Sequence, residues 1–188
     1  MEGLQRCPWG AKEPNTSYHD NEWGRPCHDD AKLFEMLILE GQQAGLNWEC
    51  ILKKREAMRA AFDGFDVRAC AAYDQEKLAA LQEAPGIIKN RLKLAAIPAN
   101  AKAFLQVQEE FGSFDAYLWS FVDGQPVVNE YASPEEIPAE TPVSRAMSKA
   151  LKKRGFKFVG PTICYALMQS VGLVDDHLIS CPYHTHNR

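Results

Sequence analysis

Leu78-Ala79-Ala80-Leu81-Gln82-Glu83-Ala84-Pro85-Gly86-Ile87-Ile88-Lys89-Asn90-Arg91-Leu92-Lys93 reads as a helix, a tight turn at Pro85-Gly86 and the opening of a second helix. Gly86 permits close backbone approach, and free amides at the start of the new helix carry partial positive charge that suits a phosphate. Lys89, Arg91 and Lys93 follow directly. This is the logic by which a hairpin between two helices grips a DNA backbone without reading its sequence. The same spacing also fits an ordinary αα-corner, and spacing alone does not separate the two.

The helical pattern extends in both directions from this stretch. Upstream, Asp29 or Asp30 caps a helix with Leu33, Leu37 and Ile38 on one stripe. A second helix from about Asn47 is expected to turn Ile51, Leu52, Met58 and Phe62 inward and Lys53, Lys54, Arg55 and Arg59 mostly outward. Short helices are predicted over 66–73 and 75–81. Downstream, Pro98 lacks the amide that a helix interior needs and is expected to kink or split the helix after the turn. Ser113 caps a helix carrying Phe114, Tyr117, Leu118 and Phe121. Four prolines between Pro126 and Pro142 mark an extended loop. Thr141 with Pro142 then opens a helix that Gly155 ends. Pro161 opens another, ended by Gly172, and Asp175 or Asp176 is expected to cap a last short helix. Alternation with period two is almost absent. The expected class is all-α, with eight to ten helices in a single domain spanning 1–188.

The chain of 188 residues is 46% hydrophobic and 24% charged, which is the profile of a globule with a real core. Its apolar runs are too short for a membrane span. Met1 to Arg6 shows no apolar signal segment, so a cytoplasmic location is expected. In that setting six scattered cysteines point to reduced thiols or metal ligands rather than disulfides. A net charge of −4 argues against non-specific coating of nucleic acid but leaves room for local basic faces. Two segments are basic without an acid: Pro85 to Leu105, and Val143 to Ile163 with Arg145, Lys149, Lys152, Lys153, Arg154 and Lys157. A charged helix face is by itself often only solvated.

Glu40 is the most informative single residue. It shares helical spacing with Leu33, Leu37 and Ala44, so a carboxylate falls on the stripe that faces the core. A buried acid must be paired, protonated or in use. Gly41-Gln42-Gln43-Ala44-Gly45-Leu46-Asn47-Trp48 follows, with Leu46 as a possible wedge and Trp48 as a stacking wall beside the acid. Trp9, Tyr18 and Trp23 add aromatic surface, although most tryptophans are core residues. At the two ends of the chain, His177-x-x-x-Cys181 has the spacing of one helical face, and Cys7 and His19 lie near the start. A Cys2His2 set would form a closed structural zinc site. Cys27, His28, His184 and His186 compete as ligands.

These residues match a known pattern. Arg6-Cys7-Pro8-Trp9, the run Tyr18 to Gly24, the run Leu39 to Trp48, the run Leu151 to Gly160, and Asp176-His177 together resemble the bacterial DNA-3-methyladenine glycosylase I family, nearly end to end. The resemblance implies a helix-hairpin-helix glycosylase that hydrolyses the N-glycosidic bond of 3-methyladenine in double-stranded alkylated DNA. It would release the base, leave an abasic site and not cut the strand. Glu40 would contact the extruded base as the catalytic-site acid, with Tyr18, Trp48, Trp9 and Trp23 around it. Leu46, with the neighbouring Gln42 and Gln43, would fill the vacated duplex, Gly45 would contact the DNA beside them, and Gly86, Lys89, Arg91 and Lys153 would grip the backbone. Cys7, His19, His177 and Cys181 match the family's ligands for one structural Zn2+. A monomer is expected. The sequence departs from the family just before Tyr18, where Pro14-Asn15-Thr16-Ser17 lacks a usual tyrosine and is one residue short. That departure sustains an alternative, a catalytically weak or inactive damage-binding relative. A hydrolase acting through zinc itself is a further alternative, but four closed ligands leave it no open position.

Overall fold

The computed structural model describes residues 5–188; Met1 to Leu4, part of the stretch read for a signal segment, lie outside it. Nine α-helices are present among the described residues, within the expected range. None is long and apolar enough to cross a membrane. The first, α1 (Asn15–Asn21), was not anticipated, because its seven residues carry too little apolar pattern to announce a helix.

The fold is organised around α2 (Asp30–Gln43). Asp29 caps it through the Ala31 amide, and Leu33 to Gln42 are buried without interruption. The expected single stripe is widened to the full circumference because other helices cover α2 on several sides. These are α3 (Trp48–Ala61), α6 (Arg91–Phe111), α7 (Phe114–Trp119) and α9 (Pro161–Ser170). In α3, Ile51 and Met58 point inward as expected, but Arg55 does not face water. It lies buried between Glu22, at 2.9 Å through both terminal nitrogens, and Glu35, at 2.8 Å. Paired carboxylates on α2 and after α1 make burial of its charge tolerable, and the linear pattern of α3 contains neither partner.

Asp66 and Asp74 cap α4 (Val67–Ala71) and α5 (Gln75–Glu83). The helix after the Pro85-Gly86 turn starts later than expected. The connection runs to Asn90, whose side chain takes the amides of Leu92 and Lys93. At Gly86, with φ +77°, an added Cβ would stand 2.9 Å from the Ala57 Cβ, so the turn seats directly on α3. Pro98 does not split α6, which runs through it as one helix. Burial of Leu94, Ile97, Ala101 and Phe104 on the same helix offsets the one missing hydrogen bond.

Ser113 caps α7, and α8 (Pro142–Lys153) opens with a reciprocal Thr141–Ser144 capping box. The proline-rich stretch is a loop as read, apart from one short 3-10 turn at Pro134–Glu136 and one strand. That strand, β1 (Val127–Val128), pairs in parallel with β2 (Val174–Asp175). The last expected helix does not form. Asp175 belongs to β2, and the segment from His177 to Cys181 is non-helical, held by turn bonds such as Cys181 N–H to the Leu178 carbonyl at 2.7 Å.

Candidate active site and metal centre

A cleft of about 400 Å³ opens between α1, α2, the start of α3, α9 and the 134–139 loop. Glu40 lies at its floor in the last turn of α2, 3% exposed. Burial pushes its carboxyl up to about 8, against the Ser170 hydroxyl beside it, which favours the charged form. Oε2 of Glu40, the Tyr18 hydroxyl and Nε1 of Trp48 are all buried without a hydrogen-bond partner. Three such orphans around one cleft are costly unless a polar ligand completes them.

The walls are aromatic. Tyr18 and Trp48 have ring centroids 5.2 Å apart, while Trp9 and Trp23 meet edge to face at 4.9 Å. All four line the cleft, so the aromatic residues singled out in the sequence do gather around Glu40. Burial and the Glu40 charge hold the Tyr18 phenol well above its ordinary range, so it remains a donor. The opposite wall was missed. Thr162, Tyr165 and Gln169 on α9 and Ile137 and Pro138 of the loop also line the cleft. The only hint in the sequence was the proline cluster, which marked a loop but not its destination.

Behind the tryptophan wall, donor atoms of Cys7, His19 and Cys181 lie within 4.8 Å of one another. His19 directs Nε2 at the Cys181 sulfur, 3.7 Å away, and places Nδ1 2.7 Å from Asp20. His177 has the same second contact, Nδ1 to Asp175 at 2.7 Å, and its buried Nε2 has no partner. Its ring is 4.7 Å from that of His19. Each imidazole is thus oriented by a carboxylate through Nδ1, with Nε2 turned to the Cys181 sulfur in His19 and left unpartnered in His177, an arrangement suited to a metal. The chain end reaches this place through a turn rather than along a helical face. Trp9 packs edge-on to His19 at 5.0 Å, and Trp23 to His177 at 4.7 Å, so two cleft walls rest on the cluster.

A family profile described as methyladenine glycosylase matches residues 9–185. The chain belongs to the methyladenine glycosylase family. DNA-3-methyladenine glycosylase 1 of Escherichia coli (strain K12) is 51% identical over 179 residues, which is 95% of this chain and 96% of that protein. A crystal structure of 3-methyladenine DNA glycosylase I superposes with a TM-score of 0.93 at 53% identity, covering 96% of this chain and 100% of that one. A second structure is that of a tyrosine-to-phenylalanine variant of 3-methyladenine DNA glycosylase I in complex with 3-methyladenine. It reaches a TM-score of 0.92 at 37% identity, over 95% of this chain and 97% of that one.

Within this methyladenine glycosylase fold the residues expected on the DNA side are not all at the surface. Leu46 is 44% exposed on the turn between α2 and α3, next to Gly45 at φ +75°. Gln43 lines the cleft. Gln42 is buried, its side-chain amide donating to the Lys93 carbonyl at 3.4 Å, so it supports the turn from inside and is not placed to fill a duplex. Lys89 and Arg91 are exposed, as is Lys153 at the end of α8. Lys93 is buried, which removes it from the basic face read in the sequence. Arg154 is committed to Glu110 at 2.6 and 3.0 Å. The specificity of the run from Leu151 to Gly160 is largely structural. Phe156 and Val159 enter the core, and Asn100 holds both the amide and the carbonyl of Lys157.

Proposed function

We propose that this protein hydrolyses the N-glycosidic bond of 3-methyladenine in alkylated double-stranded DNA, releasing the base and leaving an abasic site. The observation that carries this reading is the Glu40 carboxyl, buried with an unpartnered oxygen at the floor of an aromatic cleft. Methylation at N3 makes the base a cation within the nucleotide. Such a ring gains cation–π attraction from Trp48, Tyr18 and Trp9 and charge complementarity from an ionised Glu40. The empty carboxyl, pushed up to about 8, is mostly protonated at neutral pH; a cation in the cleft favours its ionised form. Tyr18 and Trp48 offer an O–H and an N–H to the ligand.

The bond broken is that between the sugar C1′ and the base nitrogen. The bonding pair moves onto the base and cancels its positive charge, so the leaving group needs little acid. Water adds to C1′ of the oxocarbenium-like sugar and gives its proton to solvent. Among the described residues no lysine lines the cleft to attack the sugar, which favours base release without strand cleavage. Extrusion costs a few kcal/mol of stacking and pairing, and Leu46, with Gln43 beside it, is the side chain placed to occupy the gap. The 84–90 connection between α5 and α6 acts as a helix-hairpin-helix, with Lys89, Arg91 and Lys153 as phosphate contacts.

Cys7, His19, His177 and Cys181 would hold one Zn2+. The fit rests on two buried thiols gathered with His19 and on the orphaned nitrogen of His177, whose ring adjoins that of His19. Bound there, the metal supplies a structural tie with no open position for chemistry. The protein acts as a monomer.

The test is chromatographic analysis of bases released from methylated duplex DNA by wild type and Glu40→Gln. Release of 3-methyladenine by wild type, reduced by about two orders of magnitude in the variant, is the expected result. The inactive damage-binding alternative rests on the segment before Tyr18, where Asn15 ties its side-chain nitrogen to the Trp9 carbonyl at 3.2 Å and leaves its oxygen unpartnered. Binding of methylated DNA with no base released by wild type establishes that alternative.

A further inference from the structure

The end of any helix leaves its last carbonyls without helical donors. At the end of α2, two carbonyls share one donor. Lys93 Nζ stands 2.8 Å from the Gln42 oxygen and 2.6 Å from that of Ala44. Lys93 comes from the first turn of α6, just beyond the hairpin, and is 6% exposed. The Gln42 amide returns a bond to the Lys93 carbonyl at 3.4 Å, so the contact runs both ways. Burial pulls the ammonium down from its ordinary range, and no carboxylate among the described residues is placed to hold it up.

A charge at a helix C-terminus is favoured by the helix dipole, but burying it is costly, and an apolar side chain of similar length would fill the space without that penalty. What the ammonium adds is direction. It fixes two consecutive features, the last turn of α2 and its C-cap Ala44, to the start of α6. The turn that follows has little else to hold it. The Leu46 amide bonds the Gln43 carbonyl at 2.6 Å, and the Asn47 side chain caps α3 through the Cys50 amide at 2.8 Å.

We propose that Lys93 is a positioning residue for base extrusion, locking the Leu46 turn to the hairpin so that the wedge and the phosphate contacts of Lys89 and Arg91 meet the duplex at a fixed separation. The inference rests on the glycosylase reading above. The wedge must enter the stack while the backbone is held, and a displacement of about 1 Å at such a point costs heavily in rate. Glu40 lies in the same last turn, but the buried run from Leu33 to Gln42 packs against α3, α6, α7 and α9, which holds that turn in place without the ammonium. The cleft therefore survives loss of the ammonium, and only the step that engages a duplex suffers.

The experiment compares wild type, Lys93→Met, Leu46→Ala and the double variant in the full chain. Three quantities are measured: single-turnover release of 3-methyladenine from methylated duplex DNA, affinity for free 3-methyladenine by tryptophan fluorescence, and thermal melting. The expected result for Lys93→Met is a loss of about tenfold or more on duplex DNA, with free-base affinity within about twofold of wild type. The double variant should be no slower than the worse single variant, because both act on one step. Duplex activity within about twofold of wild type overturns the proposal, as does a parallel fall in free-base affinity, which marks a general structural role, or a fully additive double variant. If Lys93→Met does not fold, Lys93→Gln retains one donor; an intermediate duplex loss with intact free-base binding supports the proposal, and unchanged duplex activity overturns it. If wild type itself releases no base while still binding it free, the glycosylase reading fails and the extrusion role fails with it.

Discussion

Glu40 couples recognition to stability. An unfolded glutamate titrates near 4.5, and in the fold burial raises Glu40 to about 8. Between those values the folded chain holds a proton that the unfolded chain has lost, so this residue makes stability fall as pH rises, by up to about 1.4 kcal/mol per pH unit. Below the unfolded value its penalty vanishes. Glu40→Gln removes the titration, and chemical denaturation between about pH 5 and pH 8 should show a flatter profile and a variant more stable than wild type at the alkaline end. Asp20 and Asp175 act in the opposite sense, being held well below the usual carboxylate range with Arg6 and His177 as their partners, and their effect falls in acid, outside that window. A profile that stays parallel for wild type and Glu40→Gln would place the acid in a solvated setting and remove its claim to the cleft. Glu40 was legible in the sequence as an acid on an apolar stripe. Gln42 and Lys93 were not legible as buried residues, because a long polar side chain reads as surface until its partner, here on a helix about fifty residues away, is known.

At the scale of elements, caps and glycines account for most of what the sequence announced correctly. Asp29, Asn47, Asp66, Asp74, Ser113 and Thr141 each cap a helix through a side-chain oxygen where the sequence placed a helix start, whereas Asn90 caps a helix that the sequence reading opened several residues too early. Gly86 combines a positive φ with contact against α3. Gly86→Ala should cost about 1–3 kcal/mol of stability from backbone strain and overpacking. It should also weaken duplex binding while leaving free-base affinity unchanged, as measured by denaturation and by titration with methylated DNA. Equal duplex affinity would mean that the hairpin is only an αα-corner, the bland reading its spacing allowed. Where element predictions failed, the cause lies in partners distant in sequence. Pro98 remains inside α6 because one face of that helix is buried, and no α-helix forms after Asp176 because the chain leaves β2 in turns that fold onto the cysteine–histidine cluster.

Over the whole molecule, the segments around Cys7 and Cys181, far apart in sequence, meet behind the cleft. Trp9 and Trp23 stand between the cluster and the cavity, so these segments brace two of its walls. With Zn2+ held there as proposed, a chelator should lower the melting temperature by several degrees or more. It should also broaden tryptophan emission and weaken free-base binding, while readdition of Zn2+ restores all three. A chelated protein with unchanged melting and unchanged fluorescence would show that the four residues hold no structural ion.

The sequence by itself determined the helical class, most helix starts and the acid at position 40, because caps, apolar periodicity and a misplaced charge are local signals; that Trp9, Tyr18 and Trp23 stand around this acid was implied only by the family resemblance. It also contained the motifs that resemble the methyladenine glycosylases. Only the tertiary structure decided which residues of α9 and of the 134–139 loop close the cleft, that Arg55 and Lys93 are buried, and that His177 approaches the cluster from a turn. Each of those depends on contacts between segments far apart in the chain, and such contacts are set by how helices pack around α2 rather than by any residue's neighbours in sequence.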